Sequence, residues 1–286
     1  MKVSAIVVNY NAGDHLLDCV RSLKADGVEE IVVVDNASAD GSADAVRTAE
    51  PSVVVHRTEG NIGFGAGANR GAAISSGDAL LVMNPDTVVE PGMVKVLVEA
   101  LERDPGIGVV APRVENPDGS VYPSARAFPS LSDALGHAFL GFVAPANRFT
   151  RRYKLLDWDR TTARDVDWVS GTAMMIRGDV WRAVRGFDEG YFMYVEDVDL
   201  CWRAWRAGWR VTYEPEARLV HVIGVSSDQA PYRMIAAHHR SLWRFSVKTN
   251  TGPRRVLLPF VAVGLAVRTG LAWLQRLSRQ RPHAAP

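Results

Sequence analysis

The chain has 286 residues, of which 47% are hydrophobic and 23% charged, with a formal net charge of +1. This composition is that of an ordinary globular protein, and the length allows one large α/β domain with appendages or two small domains. The small net charge gives no reason to expect nucleic acid as a partner. Two cysteines are too few for a disulfide framework, and the N-terminal segment has no long apolar stretch suited to a signal peptide, so we expect a reducing, cytoplasmic location.

Charge is distributed unevenly along the chain. The last acidic residue is Asp228, and ten basic residues follow it. They are Arg233, Arg240, Arg244, Lys248, Arg254, Arg255, Arg268, Arg276, Arg279 and Arg281. An acidic body with a basic C-terminal tail favours an anionic surface as a partner.

The first part of the chain alternates short apolar runs with amphipathic segments. The predicted strands are Val3–Val8, Ile31–Val34, Val53–His56, Ala79–Met83 and Ile107–Ala111. Helices are predicted at Leu16–Leu23, Gly65–Ser75 and Val94–Leu101. This alternation is typical of an α/β protein with a parallel, doubly wound sheet. Polar residues gather just after the apolar runs, at the edge where open α/β sheets bind ligands.

The pattern changes after the fifth predicted strand. From Arg113 to Arg164 the chain is rich in Pro, Arg and aromatic residues, with a turn predicted at 117–119, and we expect this excursion to cover the site. Regular alternation begins again at Asp167–Ile176, which is predicted to be a strand. A helix is predicted from about Glu196 to near Gly208, followed by a strand at Trp209–Tyr213.

A first polar cluster follows the first two predicted strands. It consists of Asn9-Tyr10-Asn11 and of Asp35-Asn36. A carboxylate at the end of the second strand can accept a hydrogen bond from a pyrimidine N3–H or from a ribose hydroxyl. The alternative is that Asp35 and Ser38 only cap the helix that follows.

A second cluster is the glycine-rich segment Asn61–Gly71. Its residues Gly63, Gly65 and Ala68 fit the dinucleotide fingerprint, but that fingerprint belongs in the first strand–helix turn, and two such units precede this one. The glycines instead indicate a backbone that passes close to a ligand before a helix begins. A purely structural glycine turn is the alternative.

A third cluster, Asn84-Pro85-Asp86, follows the strongly apolar fourth strand. A carboxylate at this position can hold a divalent cation that bridges a diphosphate. An Asn-Pro-Asp sequence on its own is more often a simple turn. The three clusters together, at the ends of successive strands, favour a nucleotide site.

Six spaced motifs resemble the successive motifs of family 2 glycosyltransferases. They are Val7-Val8-Asn9-Tyr10-Asn11, Val33-Val34-Asp35-Asn36-Ala37-Ser38, Asn61–Asn69, Asn84-Pro85-Asp86, Trp168-Val169-Ser170-Gly171 and Phe187–Arg203. The last two are similar to the rhamnosyltransferase-like branch of the family. The resemblance covers about residues 2–223 and implies a GT-A fold, with a mostly parallel central sheet and flanking helices, and inverting sugar transfer from a nucleotide diphosphate donor.

The resemblance assigns a donor side and a metal side. The positions that match the nucleotide-sugar side are Val8, Asn9, Tyr10, Asp35, Asn61, Gly63, Phe64, Asn69 and Asn84. Asp86 and His221 match the metal side, which implies Mn²⁺ or Mg²⁺ as the cofactor. Asn84 stands where an Asp-x-Asp motif has its first carboxylate, so one charged metal ligand fewer is expected. A buried structural imidazole is the alternative for His221.

The resemblance also assigns the base and the acceptor side. Asp197 matches the catalytic base, with Glu196 beside it, and Trp168 and Gly171 match the acceptor side. Inverting transfer needs a carboxylate that takes the proton of the acceptor hydroxyl, and neighbouring carboxylates raise the pKa of at least one of them. The alternative for the acidic residues, above all Asp199, is stabilisation of the first turn of a helix.

The C-terminal tail carries an amphipathic pattern. Leu257–Val267 is apolar but about half the ~20 residues that a spanning helix needs. From Ala262 onward, helical spacing puts Arg268, Arg276 and Arg279 on one face and Val263, Val267, Trp273, Leu274 and Leu277 on the other. This pattern favours a helix that lies in a membrane interface, with docking on the protein's own core or in a homodimer as the alternatives.

We therefore expect a GT-A domain at 1–225, its nucleotide-sugar half at about 1–112 and its acceptor half at about 113–225, followed by a basic, membrane-associating helical region at 226–286. The resemblance implies L-rhamnose from dTDP-L-rhamnose and a polyprenyl-diphosphate-linked acceptor, used in cell-wall assembly by a peripheral enzyme at the cytoplasmic face of the membrane. Another hexosyl or galactofuranosyl transfer, a sugar-nucleotide pyrophosphorylase, a nicotinamide oxidoreductase and an inactive binding module are the alternatives.

Overall fold

A computed structural model describes residues 1–128, 147–222 and 231–280 of the chain. The strands are β1 (Val3–Asn9), β2 (Glu30–Asp35), β3 (Val54–Arg57), β4 (Ala79–Met83), β5 (Thr87–Val89), β6 (Ile107–Glu115), β7 (Val121–Tyr122), β8 (Ala125–Arg126), β9 (Arg164–Asp165), β10 (Trp168–Val169), β11 (Ala173–Arg177) and β12 (Arg210–His221). The helices are α1 (His15–Ala25), α2 (Ser42–Ala49), α3 (Phe64–Ala73), α4 (Met93–Arg103), α5 (Arg148–Lys154), α6 (Gly178–Val184), α7 (Glu196–Arg206), α8 (Pro231–Thr249) and α9 (Leu258–Gln280).

One sheet of ten strands organises the molecule, in the order β3-β2-β1-β4-β11-β6-β12-β5, with β7 beside β6 and β9 beside β12. Six strands, β1, β2, β3, β4, β6 and β12, run in the same direction. Strand β11 runs the opposite way between β4 and β6. The mostly parallel α/β sheet of the prediction is confirmed.

The central strands are apolar on both faces because helices cover both. In β1, Ala5 and Val7 join one buried cluster, to which α1 and α4 contribute, while Ile6 and Val8 join the other, to which α3 and α7 contribute. Alternate side chains of a strand point to opposite faces, so a strand covered twice reads as a continuous apolar run. This explains why the parallel strands of the sheet could be predicted from the sequence.

Two predicted strands have different bounds in the structure. The predicted strand Asp167–Ile176 is wrong as a single element, because the chain turns at Gly171 and changes sheets. Strand β10 pairs with β8 in a small separate sheet, whereas β11 joins the central sheet. The predicted strand Trp209–Tyr213 is longer than expected, since β12 continues to His221 past an irregularity between Glu214 and Arg218.

The glycine-rich segment is a sharp entry into α3, and it brings that helix against the sheet. Gly63 has φ +90°, and a Cβ placed on it would lie 2.0 Å from the carbonyl oxygen of Phe192. A Cβ on Gly71 would lie 2.5 Å from Cγ2 of Ile6 on β1. The glycines are therefore required by backbone conformation and by close helix–sheet packing, and α3 belongs to the third strand–helix unit rather than the first.

The C-terminal helices pack against each other, and α9 leaves its apolar face uncovered. Tyr232 of α8 and Trp273 of α9 meet edge to face at 6.3 Å. The exposed apolar side chains are Val256, Phe260, Val263, Val267, Leu271 and Trp273, with Phe260 69% and Val263 65% exposed. Phe260, Val263, Val267 and Leu271 are spaced by three or four residues and make one stripe on α9. Arg268, predicted on the polar face, is instead partly buried, and burial lowers the pKa of its guanidinium.

The apolar segment is also longer than the sequence analysis expected. Within the described residues, the stretch Gly252–Trp273 has 22 residues and is long and apolar enough to cross a membrane, judged by length and composition only. Only 6% of its apolar window is buried, so it is not a core helix. The side chains of Leu274, Arg276, Leu277 and Arg279 lie outside the described residues, as does Arg281.

Replacing Gly63 by Ala is expected to lower the free energy of unfolding by about 1–3 kcal/mol, because the new Cβ meets the Phe192 carbonyl and the backbone lies in the left-handed region. Gly60→Ala is the matched control, since a Cβ there meets no atom within 4 Å, and it should change stability by less than about 0.5 kcal/mol. Chemical denaturation measures both. Equal stability of the two variants would contradict the contact with Phe192.

Candidate active site

The donor side of the site forms where β1 and β2 end side by side. Asn9 is paired in register with Asp35, and its Nδ2 donates to Oδ1 of Asp35 at 2.9 Å and to Oγ of Ser42 at 2.9 Å. Both Asn9 and Asp35 are buried. Asp35 is thus a carboxylate held in a fixed orientation at the ligand-binding edge of the sheet.

The capping alternative for Asp35 and Ser38 is wrong. Helix α2 begins after Gly41, and neither Asp35 nor Ser38 makes a side-chain cap to it. The backbone N–H of Ser42 instead donates to Oδ1 of Asp40 at 3.0 Å. The second oxygen of Asp35 lies 3.5 Å from Nε of Arg57, an interaction that the sequence analysis missed.

Three of the predicted donor residues in the glycine-rich segment hold its loop in place; they are Asn61, Gly63 and Phe64. Asn61 and Gly63 build the loop itself, because Oδ1 of Asn61 accepts the N–H of Gly63 at 3.0 Å, and Nδ2 of Asn36 donates to the Gly63 carbonyl at 3.0 Å. Phe64 packs edge to face on Phe187, with ring centroids 5.9 Å apart. The loop is thereby tied to the Asp35-Asn36 turn on one side and to the chain before α7 on the other.

Asn69 was predicted to face the donor, but its side chain makes structural contacts instead. Its Oδ1 accepts the N–H of Phe187 at 2.9 Å, and its Nδ2 donates to the Phe187 carbonyl at 2.9 Å and to Glu189 at 3.0 Å. Both polar atoms of the amide are used in this way. Asn69 therefore positions the segment that leads to the acidic cluster. The two remaining predicted donor residues lie on β1 and just after it: Val8 is buried against α3 and Tyr10 is partly exposed.

The metal side gathers at the ends of β4 and β12. Nε2 of His221 lies 3.1 Å from Oδ1 of Asp86 and 3.5 Å from Nδ2 of Asn84. Asp86 and His221 are both buried, and Nδ1 of His221 has no hydrogen-bond partner. No group of three or more His, Cys, Asp or Glu side chains able to hold a metal occurs among the described residues. The chain thus offers one carboxylate and one imidazole here.

The acidic cluster forms the first turn of α7. Glu196 and Asp199 are buried, while Asp197 between them is partly exposed. Asp199 pairs with Nε of Arg203 at 2.7 Å and with Nζ of Lys248 at 2.7 Å, so its charge is balanced and its role is structural. Oε2 of Glu196 is buried without a hydrogen-bond partner.

The environment of this turn favours protonated carboxyl groups. Burial, and then the neighbouring charge of Asp197, raises the pKa of Glu196. Burial also raises the pKa of Asp197, although backbone N–H donors and the nearby Arg126 act against the rise. A carboxylate whose pKa lies above the ordinary value is a better proton acceptor, and such groups are typical of catalytic sites.

A turn at residues 171 and 172 connects the acidic cluster to the metal side. The N–H of Gly171 donates to Oδ2 of Asp197 at 3.0 Å, and the carbonyl of Thr172 accepts the N–H of Asn84 at 2.9 Å. A Cβ on Gly171 would lie 3.2 Å from Cε1 of Phe64. Residues that are far apart in sequence are therefore neighbours across this turn.

The acceptor side contains a cation that the sequence analysis missed. The guanidinium of Arg126 lies 5.0 Å from the ring centroid of Trp168 and 5.9 Å from that of Tyr153. Trp168 is buried, and its Nε1 donates to the Ala127 carbonyl at 3.0 Å. The aromatic and Arg-rich composition of this stretch was visible in the sequence, but nothing local indicated which Arg lies near enough to Asp197 for its charge to act on that carboxyl.

The sheet order, and the polar edge built from the ends of β1, β2 and β4, define a nucleotide-binding domain of the GT-A type. The chain belongs to glycosyl transferase family 2, which its residues 4–180 match. It is 36% identical to the N-acetylglucosaminyl-diphospho-decaprenol L-rhamnosyltransferase of Mycobacterium tuberculosis over 290 residues, covering 96% of this chain and 94% of that protein.

Two further comparisons agree with this family. The chain is 26% identical to rhamnosyltransferase WbbL of Escherichia coli K12, over 85% of this chain and 92% of that protein. The mannosyltransferase PcManGT from Pyrobaculum calidifontis, solved in complex with GDP-Man and Mn²⁺, has the same fold, with a TM-score of 0.60 at 16% identity, over 96% of this chain and 75% of that one. The predicted family and fold are confirmed, and the pyrophosphorylase and oxidoreductase alternatives are excluded. The roles of individual site residues stay predictions.

Proposed function

We propose that the protein is an inverting, metal-dependent glycosyltransferase that moves L-rhamnose from dTDP-L-rhamnose to a lipid-linked acceptor such as N-acetylglucosaminyl-diphospho-decaprenol. The observation that carries the transfer chemistry is the 171–172 turn, which bonds the candidate base Asp197 on one side and the metal-side Asn84 on the other. A base and a leaving-group site must flank one reacting carbon in this reaction. The sugar and the acceptor are supported by the mycobacterial relative's name and by the extent of the match.

In the proposed reaction, Asp197 takes the proton of an acceptor hydroxyl while that oxygen bonds to the anomeric carbon of the donor sugar. The bond from the anomeric carbon to the diphosphate oxygen breaks, and its electron pair leaves with the nucleoside diphosphate. Attack from the face opposite the leaving group inverts the anomeric configuration. Asp197 is suited to this task because it is the partly exposed carboxylate of its turn, and two backbone N–H groups fix it in place.

Asp86 and His221 would hold the divalent cation, and the pair fits this role. Their facing atoms lie 3.1 Å apart, close enough for one ion to bind both, and protein Mg²⁺ or Mn²⁺ sites commonly take further ligands from substrate phosphates and water. Because Mg²⁺ sites are built from oxygen ligands, the imidazole favours Mn²⁺ over Mg²⁺. When bound, the cation supplies charge neutralisation for the departing nucleoside diphosphate.

The proposed division of the chain follows the sheet. Residues 1–112 would bind the nucleotide sugar, residues 113–225 would face the acceptor, and the region 226–286 would attach the enzyme to the cytoplasmic face of the membrane. The uncovered apolar stripe of α9 supports the membrane assignment, since a helix in the interface buries such a face among lipid chains. The enzyme would then meet its lipid-linked acceptor at the membrane that contains it.

Asp197→Asn is expected to lower transfer turnover by at least ~10²-fold while the donor dissociation constant hardly changes, because the amide keeps the shape but cannot accept the proton. Turnover is measured across a panel of nucleotide sugars with Mn²⁺. Glu196→Gln and Asp199→Asn are the controls and should cost less turnover. Near-normal transfer by Asp197→Asn together with loss of transfer in Glu196→Gln would assign the base to Glu196. Transfer from a different nucleotide sugar, and none from dTDP-L-rhamnose, would contradict rhamnose as the donor sugar.

Asp86→Asn is expected to weaken Mn²⁺-dependent binding of dTDP about tenfold or more, because a charged metal ligand becomes neutral. Calorimetry with Mn²⁺ and with a chelator gives the difference for each protein. Asp118→Asn, which changes an exposed carboxylate in the turn after β6, should behave as the wild type. Binding of dTDP that is the same with and without metal in the wild type would count against the metal site.

Exchanging Phe260 and Val263 together for Gln is expected to reduce partitioning to anionic vesicles at least about tenfold, because two side chains lose their burial in lipid while the helix is kept. Vesicle sedimentation of the full chain measures this. Val54→Gln with Ile74→Gln is the matched control, since these side chains are also exposed, at 49% and 48%, but lie in the donor half. Unchanged sedimentation of the Phe260 and Val263 variant would show that α9 is not the anchor.

A further inference from the structure

Basic side chains from three parts of the chain meet between the acceptor side and the C-terminal helices. We name this group the basic cluster; it consists of Arg126, Lys154, His238, His239 and Arg268. From one wall, the guanidinium of Arg126 lies against the ring of Tyr153, at 5.9 Å, one residue before Lys154. From the other wall, the rings of His238 and His239 lie 5.6 Å apart on α8. Arg268 of α9 is assigned to the cluster because its charge lowers the pKa of both His238 and His239.

Mutual electrostatic effects indicate that these groups lie near one another. Burial, then the charges of His239, Arg268 and Arg126, lowers the pKa of His238 to about 4. Burial and the charge of Arg126 lower the pKa of Lys154. Positive charges in a partly buried space destabilise one another, so His238 is held neutral at pH 7, and an anion placed among the remaining cations would reduce their repulsion.

One nitrogen of the cluster is buried without a hydrogen-bond partner. His239 is only 8% exposed, its Nδ1 bonds to the Ile235 carbonyl at 2.7 Å, and its Nε2 is buried with no hydrogen-bond partner. A buried polar atom without a partner is costly, and a ligand oxygen is one way to satisfy it. With Nδ1 facing a carbonyl, Nδ1 carries the hydrogen in neutral His239. Nε2 then donates when the ring is protonated beside an anion.

The cluster lies between the candidate base and the apolar stripe. Arg126 is close enough to Asp197 for its charge to oppose the rise in the pKa of that carboxyl. His238 contacts Tyr194, two residues before Glu196, with ring centroids 5.2 Å apart. Arg268 stands on α9 beside the exposed Val267. Base, cations and apolar helix therefore follow one another in space.

This order matches the chemical order of a sugar joined to a diphosphate joined to a long apolar chain. The donor's own diphosphate belongs at Asp86 and His221, on the other side of the 171–172 turn. We propose that the basic cluster binds the diphosphate of a polyprenyl-diphosphate-linked acceptor, which places the acceptor sugar toward Asp197 and leads the lipid chain along α9. The proposal rests on the proposed function for the identity of the acceptor.

The experiment measures binding without turnover, using farnesyl diphosphate as the probe. Arg268→Gln is expected to weaken farnesyl diphosphate binding at least about tenfold, the loss expected when a charge-assisted hydrogen bond is removed. Binding of dTDP with Mn²⁺ should change less than about twofold, which also shows that the variant is folded. Arg268→Lys should restore part of the affinity. Arg240→Gln is the matched control, because Arg240 is exposed on α8 next to His239.

His239→Leu provides a second variant of the basic cluster and should weaken farnesyl diphosphate in the same direction. Equal weakening by Arg268→Gln and Arg240→Gln would overturn the proposal, since general surface charge would then explain binding. A parallel loss of dTDP binding would assign the cluster to the donor. Unchanged farnesyl diphosphate affinity with reduced sedimentation on phosphatidylglycerol vesicles would assign it to membrane headgroups. Selective farnesyl diphosphate binding without transfer from any donor would leave the cluster in place and overturn the proposed function.

Discussion

The first turn of α7 holds three carboxyl groups, two of them buried and Asp197 partly exposed, and this crowding is the constraint on which the candidate site depends. A buried carboxylate is costly unless it is paired and hydrogen-bonded, and the chain meets this cost differently at each position. Asp199 is paired with Arg203 and Lys248, Asp197 receives two backbone N–H groups, and Glu196 has one oxygen unsatisfied. The charge of Asp199 is balanced, while Glu196 and Asp197, the two groups of the proposed reaction site, keep a raised pKa.

The ion pair between Asp199 and Lys248 also connects the C-terminal region to the catalytic domain. Lys248 of α8 bonds both Asp199 and Asp188, and Arg244 bonds Asp188 at 2.8 Å. These contacts cross the predicted boundary at residue 225. Removing Lys248 would leave the buried Asp199 with Arg203 as its one remaining ion-pair partner among the described residues, which is unfavourable. Helix α8 therefore serves as part of the scaffold of the site and is more than a linker to a membrane segment.

The parallel half of the fold was predictable because its signals are local. Strands β1, β2 and β4 are buried apolar runs followed by turn and polar residues, and both features lie within ten residues of each other. Strands β10 and β11 were merged into one prediction because alternation continues across Gly171, whereas the change of sheet depends on distant partners, Ala125 and Met83. Periodicity carries no information about which strand a segment will pair with.

The site was predictable in its positions more than in its roles. The motifs located Asp35, Asp86, Asp197 and His221, and the structure brings Asp86 to His221 although 135 residues separate them. Asn69 matched a motif as well, but its amide holds the backbone of Phe187. Motif positions combine groups that face a ligand with groups that hold a loop, and only the contacts separate the two. Arg126 and Lys248 belong to no motif, because each acts through a neighbour that is remote in sequence.

The conformation just before α7 links the C-terminal helices to the candidate site. Tyr194 and Val195 have φ of +66° and +72°, a region that is costly for residues with a Cβ and above all for a β-branched one. Such conformations cost about 1–3 kcal/mol each and persist only where the surroundings hold them. Here the surroundings include α8, because Oγ of Ser241 donates to the Met193 carbonyl at 3.0 Å and His238 packs on Tyr194. Since α9 packs on α8, the helices that carry the apolar stripe also stabilise the turn that orients Glu196 and Asp197, so the position of the candidate base depends on the C-terminal helices.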